Sequence, residues 1–122
     1  MGGNHTELEV WKVSMHLTEK VYRATTNFPD AERFGLSVQM RRTAVSIASN
    51  IAEGRGRRSP REFRRFLDIA YGSLFELETQ LDLSERLGYL SDENSRELDQ
   101  LASSTGRLLN GLRRSLIPMS GR

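Results

Sequence analysis

The chain has 122 residues, with 18 basic and 16 acidic side chains, no cysteine, two histidines and three prolines. That length fits one domain able to bury its own core and leaves no room for two. The missing cysteine excludes disulfides, thiolate metal sites and cysteine nucleophiles, and it suits a reducing cytoplasm. No apolar run approaches the roughly 20 residues of a membrane-spanning helix, and the N-terminal residues contain no apolar signal-peptide core. A soluble, cytoplasmic protein without membrane contact is expected.

The first helix is predicted over residues 9–26, with Trp11, Met15 and Tyr22 on one side and Val10, Leu17 and Val21 broadening the apolar surface. Asn27-Phe28-Pro29-Asp30 ends it, because proline restrains the residue before it and cannot continue a hydrogen-bonded turn. After a short connection over 31–35, a second helix spans 36–53. Leu36, Met40, Ala44, Ile47 and Ile51 form one apolar stripe there. Val45, Ala48 and Ala52 make a small-residue stripe beside it, and Gln39, Arg42, Ser46, Asn50 and Glu53 a polar one.

Gly54-Arg55-Gly56-Arg57-Arg58 is the next loop, and Ser59-Pro60-Arg61-Glu62 starts a third helix with the pattern of a capping box. Serine accepts from the third amide, and proline takes the first position at no hydrogen-bond cost. This helix runs to about residue 87, where Gly88 stops it. Its core stripe is Phe63, Leu67, Ala70, Leu74, Leu77 and Leu81, close to a 3.5 repeat. Ser91 caps a fourth helix whose apolar face is Leu98, Leu101, Leu108, Leu112 and Leu116, with Thr105 completing the spacing up to Pro118. Strand signals are absent. The fold class is all-α: an antiparallel up-and-down four-helix bundle over 7–117, between a disordered tail at 1–6 and a C-terminal tail at 118–122.

Catalytic chemistry has little to work with. A di-iron bundle needs paired Glu-x-x-His motifs, whereas His16 and Glu19 occur once, in reverse order, and His5 lies in the tail. Phosphate-cradling, nucleophile-elbow and dinucleotide patterns are missing, and the Gly54/Gly56 pair follows a helix instead of a strand. Glu78, Asp82 and Glu85 share one helical face with Glu76 nearby, which suits a solvated or interface surface better than acid–base work. No enzyme activity, metal or cofactor is expected. Met1 to Thr6 fits a loose myristoylation pattern, but no polybasic segment or cysteine supplies a second membrane signal.

Arginine is the informative residue. Between residues 41 and 65 eight arginines meet only Glu53 and Glu62, a local +6 that leaves −4 for the rest of a chain whose net charge is +2. Arg55, Arg57, Arg58, Arg61, Arg64 and Arg65 gather at one loop and the first turns of the third helix. Guanidinium matches phosphate bidentately, and a helix N-terminus adds exposed amides and a positive dipole end. These residues are the candidate contacts to RNA or DNA, through phosphates and with strong salt dependence. No base-stacking platform is visible. The alternative is a set of arginines paired internally or solvated. Arg41 and Arg42 are weaker candidates, open to a structural role beside acids such as Glu76 or Glu78. Tyr71 and Phe75 lie off the core stripe in line with Glu78, which suits a second buried surface and hence self-association, the alternative being a wide monomer core that covers them.

The stretches Val10-Trp11-Lys12, Phe34-Gly35-Leu36, Gln39-Met40-Arg41-Arg42 and Ser46-Ile47-Ala48-Ser49-Asn50-Ile51-Ala52-Glu53-Gly54, with Glu76-Leu77-Glu78-Thr79-Gln80-Leu81 and Leu87-Gly88-Tyr89-Leu90, carry a family resemblance. Over roughly residues 7–117 the chain resembles the bacterial proteins encoded in intervening sequences of large-subunit ribosomal RNA genes. The resemblance implies a four-helix up-and-down bundle and a ring-like homopentamer. It also implies similarity in architecture to the accessory proteins of diversity-generating retroelements, basic pentameric barrels that engage nucleic acid and a reverse transcriptase. Ala48 departs from the family, which often has proline there, and this puts a helix kink in question, not the fold. The expected function is therefore a non-enzymatic homo-oligomer binding RNA or DNA, the alternative a self-assembling scaffold or partner of a protein such as a reverse transcriptase.

Overall fold

A computed structural model describes residues 4–117. It contains four long helices, α1 (Glu9–Thr25), α2 (Leu36–Arg55), α3 (Pro60–Arg86) and α4 (Asp92–Ser115), with no strand among the described residues. Two short 3-10 turns, His5–Glu7 and Asp30–Glu32, precede α1 and α2. Within the tail expected at 1–6, residues 4–6 take part in the first turn. Asn4 caps it, and His5 meets the Trp11 ring edge-on at 5.1 Å. Residues 1–3 and the expected tail 118–122 lie outside the described residues. Among the described residues no helix is long and apolar enough to cross a membrane.

Local chemistry sets the helix limits. Ser59 Oγ accepts from the Glu62 amide at 3.1 Å with Pro60 in the first turn, and Ser91 Oγ accepts from the Asn94 amide at 3.0 Å. Gly88, after the end of α3, has φ +75°, a left-handed conformation that a side chain would strain. Between α1 and α2 the chain is braced through one carboxylate. Leu36 N donates to Glu32 Oε1 at 3.1 Å, and Tyr89 OH donates to Glu32 Oε2 at 3.0 Å. The Phe28 ring packs on Tyr89 at 5.2 Å.

One core collects side chains from all four helices. Each helix packs on two others, α1 on α2 and α4 and α3 on α2 and α4, while the diagonal pairs do not approach among the described residues. The predicted core stripes of α2 and α3 are buried throughout. α1 differs. Its buried face is Val10, Ser14, Leu17, Val21 and Ala24, and Met15 and Tyr22 are exposed. Its apolar residues wrap more than half the helix, so periodicity alone left the inward face open. In α4 the core positions belong to Leu98, Ala102, Thr105 and Leu109, with Leu108 outside and Leu101 and Leu112 at the margin. Val45 of the expected small-residue stripe is also exposed.

Candidate nucleic-acid interface

α2 continues through Arg55, and Gly54 in its last turn lets α3 come very close. A Cβ at Gly54 would lie 2.7 Å from Phe66 Cβ and 3.0 Å from a Phe63 ring carbon. The two phenylalanines are buried by this approach. Their rings then take up the guanidinium groups of the loop. Arg55 sits 6.0 Å from the Phe63 centroid, and Arg57 and Arg65 sit 4.7 and 4.8 Å from the Phe66 centroid. Such cation–π contacts hold long side chains in place and partly offset the burial of Arg55 Nε and Arg57 Nε, which have no hydrogen-bond partner among the described residues.

Arg57 also donates through Nη2 to Glu53 Oε2 at 2.8 Å, and among the described residues it is the one member of the six-arginine cluster in an ion pair. Arg58 and Arg61 are exposed, Arg64 is half-buried, and none of the three meets a carboxylate within ion-pair distance among the described residues. Two open grooves flank the start of α3. One, of about 570 Å³, is lined by Ser59, Arg61, Glu62, Arg64, Arg65 and Asp68; the other, of about 350 Å³, by Gly56, Arg57, Arg58, Ser59 and Glu62. The six arginines therefore come together at one end of the molecule, beside the positive end of α3.

Arg41 does not join them. Its Nε donates to Thr25 Oγ1 at 2.8 Å, an Nη2 hydrogen goes to the Tyr22 carbonyl at 3.1 Å, and its guanidinium lies 4.8 Å from the Tyr22 centroid. In place of an acidic partner it meets the C-terminal turn of α1, where the negative end of the helix dipole attracts a cation. Arg42 is exposed and forms no ion pair with Glu76 or Glu78.

Tyr71 and Phe75 form an edge-on pair at 4.9 Å, Phe75 is 56% exposed, and with Glu78 they line an open groove of about 230 Å³ between α3 and α4. Arg113 covers the Tyr71 ring at 4.5 Å while its Nε donates to Asp68 at 2.6 Å. Further along this face, burial and the carboxylate of Asp99 hold Glu78 above the usual carboxylate range. Glu85 is raised in the same way, by burial first and then by the neighbouring Asp99, with the charge of Asp82 adding to the effect. Among the described residues, no three histidine, cysteine or carboxylate side chains converge as metal ligands do.

Sequence reasoning missed Phe34, 83% exposed with Arg33 5.1 Å from its centroid, and the roles of Phe66 and Arg113. Phe66 carried a signal, since it stands one turn beyond Phe63. Arg113 carried none, its carboxylate partner lying 45 residues earlier.

No curated protein sequence matches the chain. One similar solved structure is that of a protein of unknown function from the S23 ribosomal protein family of Bacteroides thetaiotaomicron. It superposes with a TM-score of 0.78 over 86% of this chain and 95% of that one, at 24% identity, a likeness that establishes the fold alone. The model of the 23S rRNA-intervening sequence protein family matches residues 6–111, nearly the whole of the described chain. With the four helices and the motif stretches placed as above, the chain belongs to the 23S rRNA-intervening sequence protein family.

Proposed function

We propose that this chain is a cytoplasmic, non-enzymatic, homo-oligomeric four-helix bundle that binds RNA or DNA through the arginines around the start of α3. The observation that carries the reading is the placement of exposed Arg58 and Arg61 and half-buried Arg64 at the positive end of a helix, with no ion-pair partner among the described residues. Like charges gathered at a helix N-terminus repel one another and the dipole unless an anion meets them, and phosphate oxygens match guanidinium best. Glu62 and Asp68 in the larger groove lower the local field without cancelling it.

An antiparallel, up-and-down course is supported by the order of the cross-helix contacts. Thr18 meets Ala44 while Thr25 meets Arg41, and Ser46 meets Ser73 while Met40 meets Ser84. Asp68 meets Arg113 at one end of α3 and Glu85 meets Asp99 toward the other. Each pair of neighbours is thus read in opposite directions. The exposed Phe75 beside Tyr71 supports self-association, and the family resemblance supports a pentamer, which would repeat the cationic surface around a ring.

The test is fluorescence anisotropy with labelled RNA and DNA across a salt series, comparing wild type with Arg58→Gln/Arg61→Gln/Arg64→Gln. These three arginines stack on no phenylalanine, so their replacement spares the packing that Arg55, Arg57 and Arg65 support. Binding that weakens steeply with salt, with a log–log slope reduced by roughly 2–3 in the variant, fits phosphate contacts. No binding at low salt by the assembled wild type overturns the reading and leaves a scaffold whose arginines serve internal packing.

A further inference from the structure

The end of the molecule opposite the arginine loop carries two aromatic–arginine pairs. Phe34 is 83% exposed with Arg33 over its ring, and Tyr22 is 43% exposed with Arg41 over its ring. An exposed phenylalanine is usually tolerated on a flexible loop, but this loop is braced. Glu32 holds the Leu36 amide and the Tyr89 hydroxyl, and Tyr89 packs on Phe28. The ring of Phe34 is therefore presented from a fixed backbone.

Arg33 of one pair and Arg41 of the other both line a pocket of about 220 Å³. Ser37, in the first turn of α2, also lines it. That residue is only 7% exposed. Asp30 stands at the same pocket and opposes an anion there; Thr26 adds a hydroxyl. The combination of aromatic faces on a braced backbone with neighbouring guanidinium groups is the chemistry that holds unpaired nucleotides, with bases stacked on rings and phosphates on arginine.

The loop end cannot do this. Phe63 and Phe66 are only 1% and 7% exposed, so neither ring offers a face to a base. The two ends are separated by the length of α2, about 30 Å at 1.5 Å per residue. Building on the nucleic-acid reading above, we infer that the α1–α2 end is a second nucleic-acid surface, a platform on which unpaired bases stack against Phe34 and Tyr22 beside Arg33 and Arg41. The arginine loop then holds backbone of either form, and the platform discriminates single strands from duplex, whose base faces are already stacked.

The experiment compares a labelled oligouridine with a blunt RNA duplex against wild type, Phe34→Ala and the Arg58→Gln/Arg61→Gln/Arg64→Gln variant. Phe34→Ala should weaken oligouridine binding roughly five-fold or more, the lower end of the loss of one aromatic–base stack, and leave the duplex unchanged. Phe34→Trp should restore oligouridine affinity, with indole emission quenched on binding. Equal effects of Phe34→Ala on both ligands, or none on oligouridine, overturn the platform while leaving the arginine-loop reading standing. A fall in oligomer mass on Phe34→Ala also overturns it, because a second copy of the chain would then cover the ring. Failure of the wild type to bind either ligand removes the broader reading as well.

Discussion

Arg113, near the end of α4, donates through Nε to Asp68 Oδ1 near the start of α3 at 2.6 Å, and the same guanidinium lies 4.5 Å from the Tyr71 centroid. One side chain thereby ties together two helices and orders the aromatic pair proposed as the self-association surface. Nη1 is occupied as well, donating to Asn110 at 3.1 Å. The pair is partly exposed, which limits the ionic share to about 0.2–1 kcal/mol, and the ring contact adds about 0.5–1 kcal/mol. Arg113→Ala should lower unfolding stability by about 1–2 kcal/mol in urea titration. Arg113→Lys should recover only part of this, since an ammonium cannot reproduce the planar fork. No change in either variant would show that the contact contributes nothing.

Gly54 and Gly72 should respond in opposite directions to alanine. At Gly54 the new methyl would meet Phe66 Cβ at 2.7 Å, and both partners are locked by the core. Overpacking there should cost about 2 kcal/mol or more. At Gly72, in the middle of α3, nothing lies within 4 Å, and alanine should stabilise the helix by about 0.5–1 kcal/mol. Thermal melts of the two variants side by side check both signs.

Glu85 gives a pH dependence. Its carboxyl is raised by burial first and by Asp99 next, so the folded state holds the proton more tightly than the unfolded chain does. Stability from this group is complete below the ordinary carboxylate range and is lost as pH rises toward the raised value. Glu85→Gln removes that loss. Its urea midpoint should exceed that of wild type at pH 7.5, with the difference vanishing near pH 4. A difference of the same size at both pH values would exclude the charge as its cause.

Self-association through the α3–α4 groove is checked by light scattering. Wild type should run as a pentamer, and Phe75→Asp as a smaller species with an unchanged helical circular dichroism spectrum, because the ring is more than half exposed in the single chain. A wild-type monomer at micromolar concentration would remove the ring and the interpretation of Tyr71 and Phe75 together.

Most of the architecture was legible in the residues themselves. Pro29, Ser59-Pro60, Gly88 and Ser91 act within a turn of their own position, so the helix limits follow from local hydrogen bonding and allowed backbone angles. The stripes of α2 and α3 are narrow enough to name one inward face, and both are buried. What only the tertiary structure decided concerns long-range partners. α1 has apolar side chains around most of its circumference, and the position of α2 and α4 chose Leu17 and Val21 over Met15 and Tyr22. The same competition put Leu109 inside and Leu108 outside. A guanidinium is satisfied by whichever anion, carbonyl or ring comes within reach. Arg41 therefore ended on Tyr22 and Thr25, and Arg57 and Arg65 on Phe66, choices that no spacing along the chain encodes.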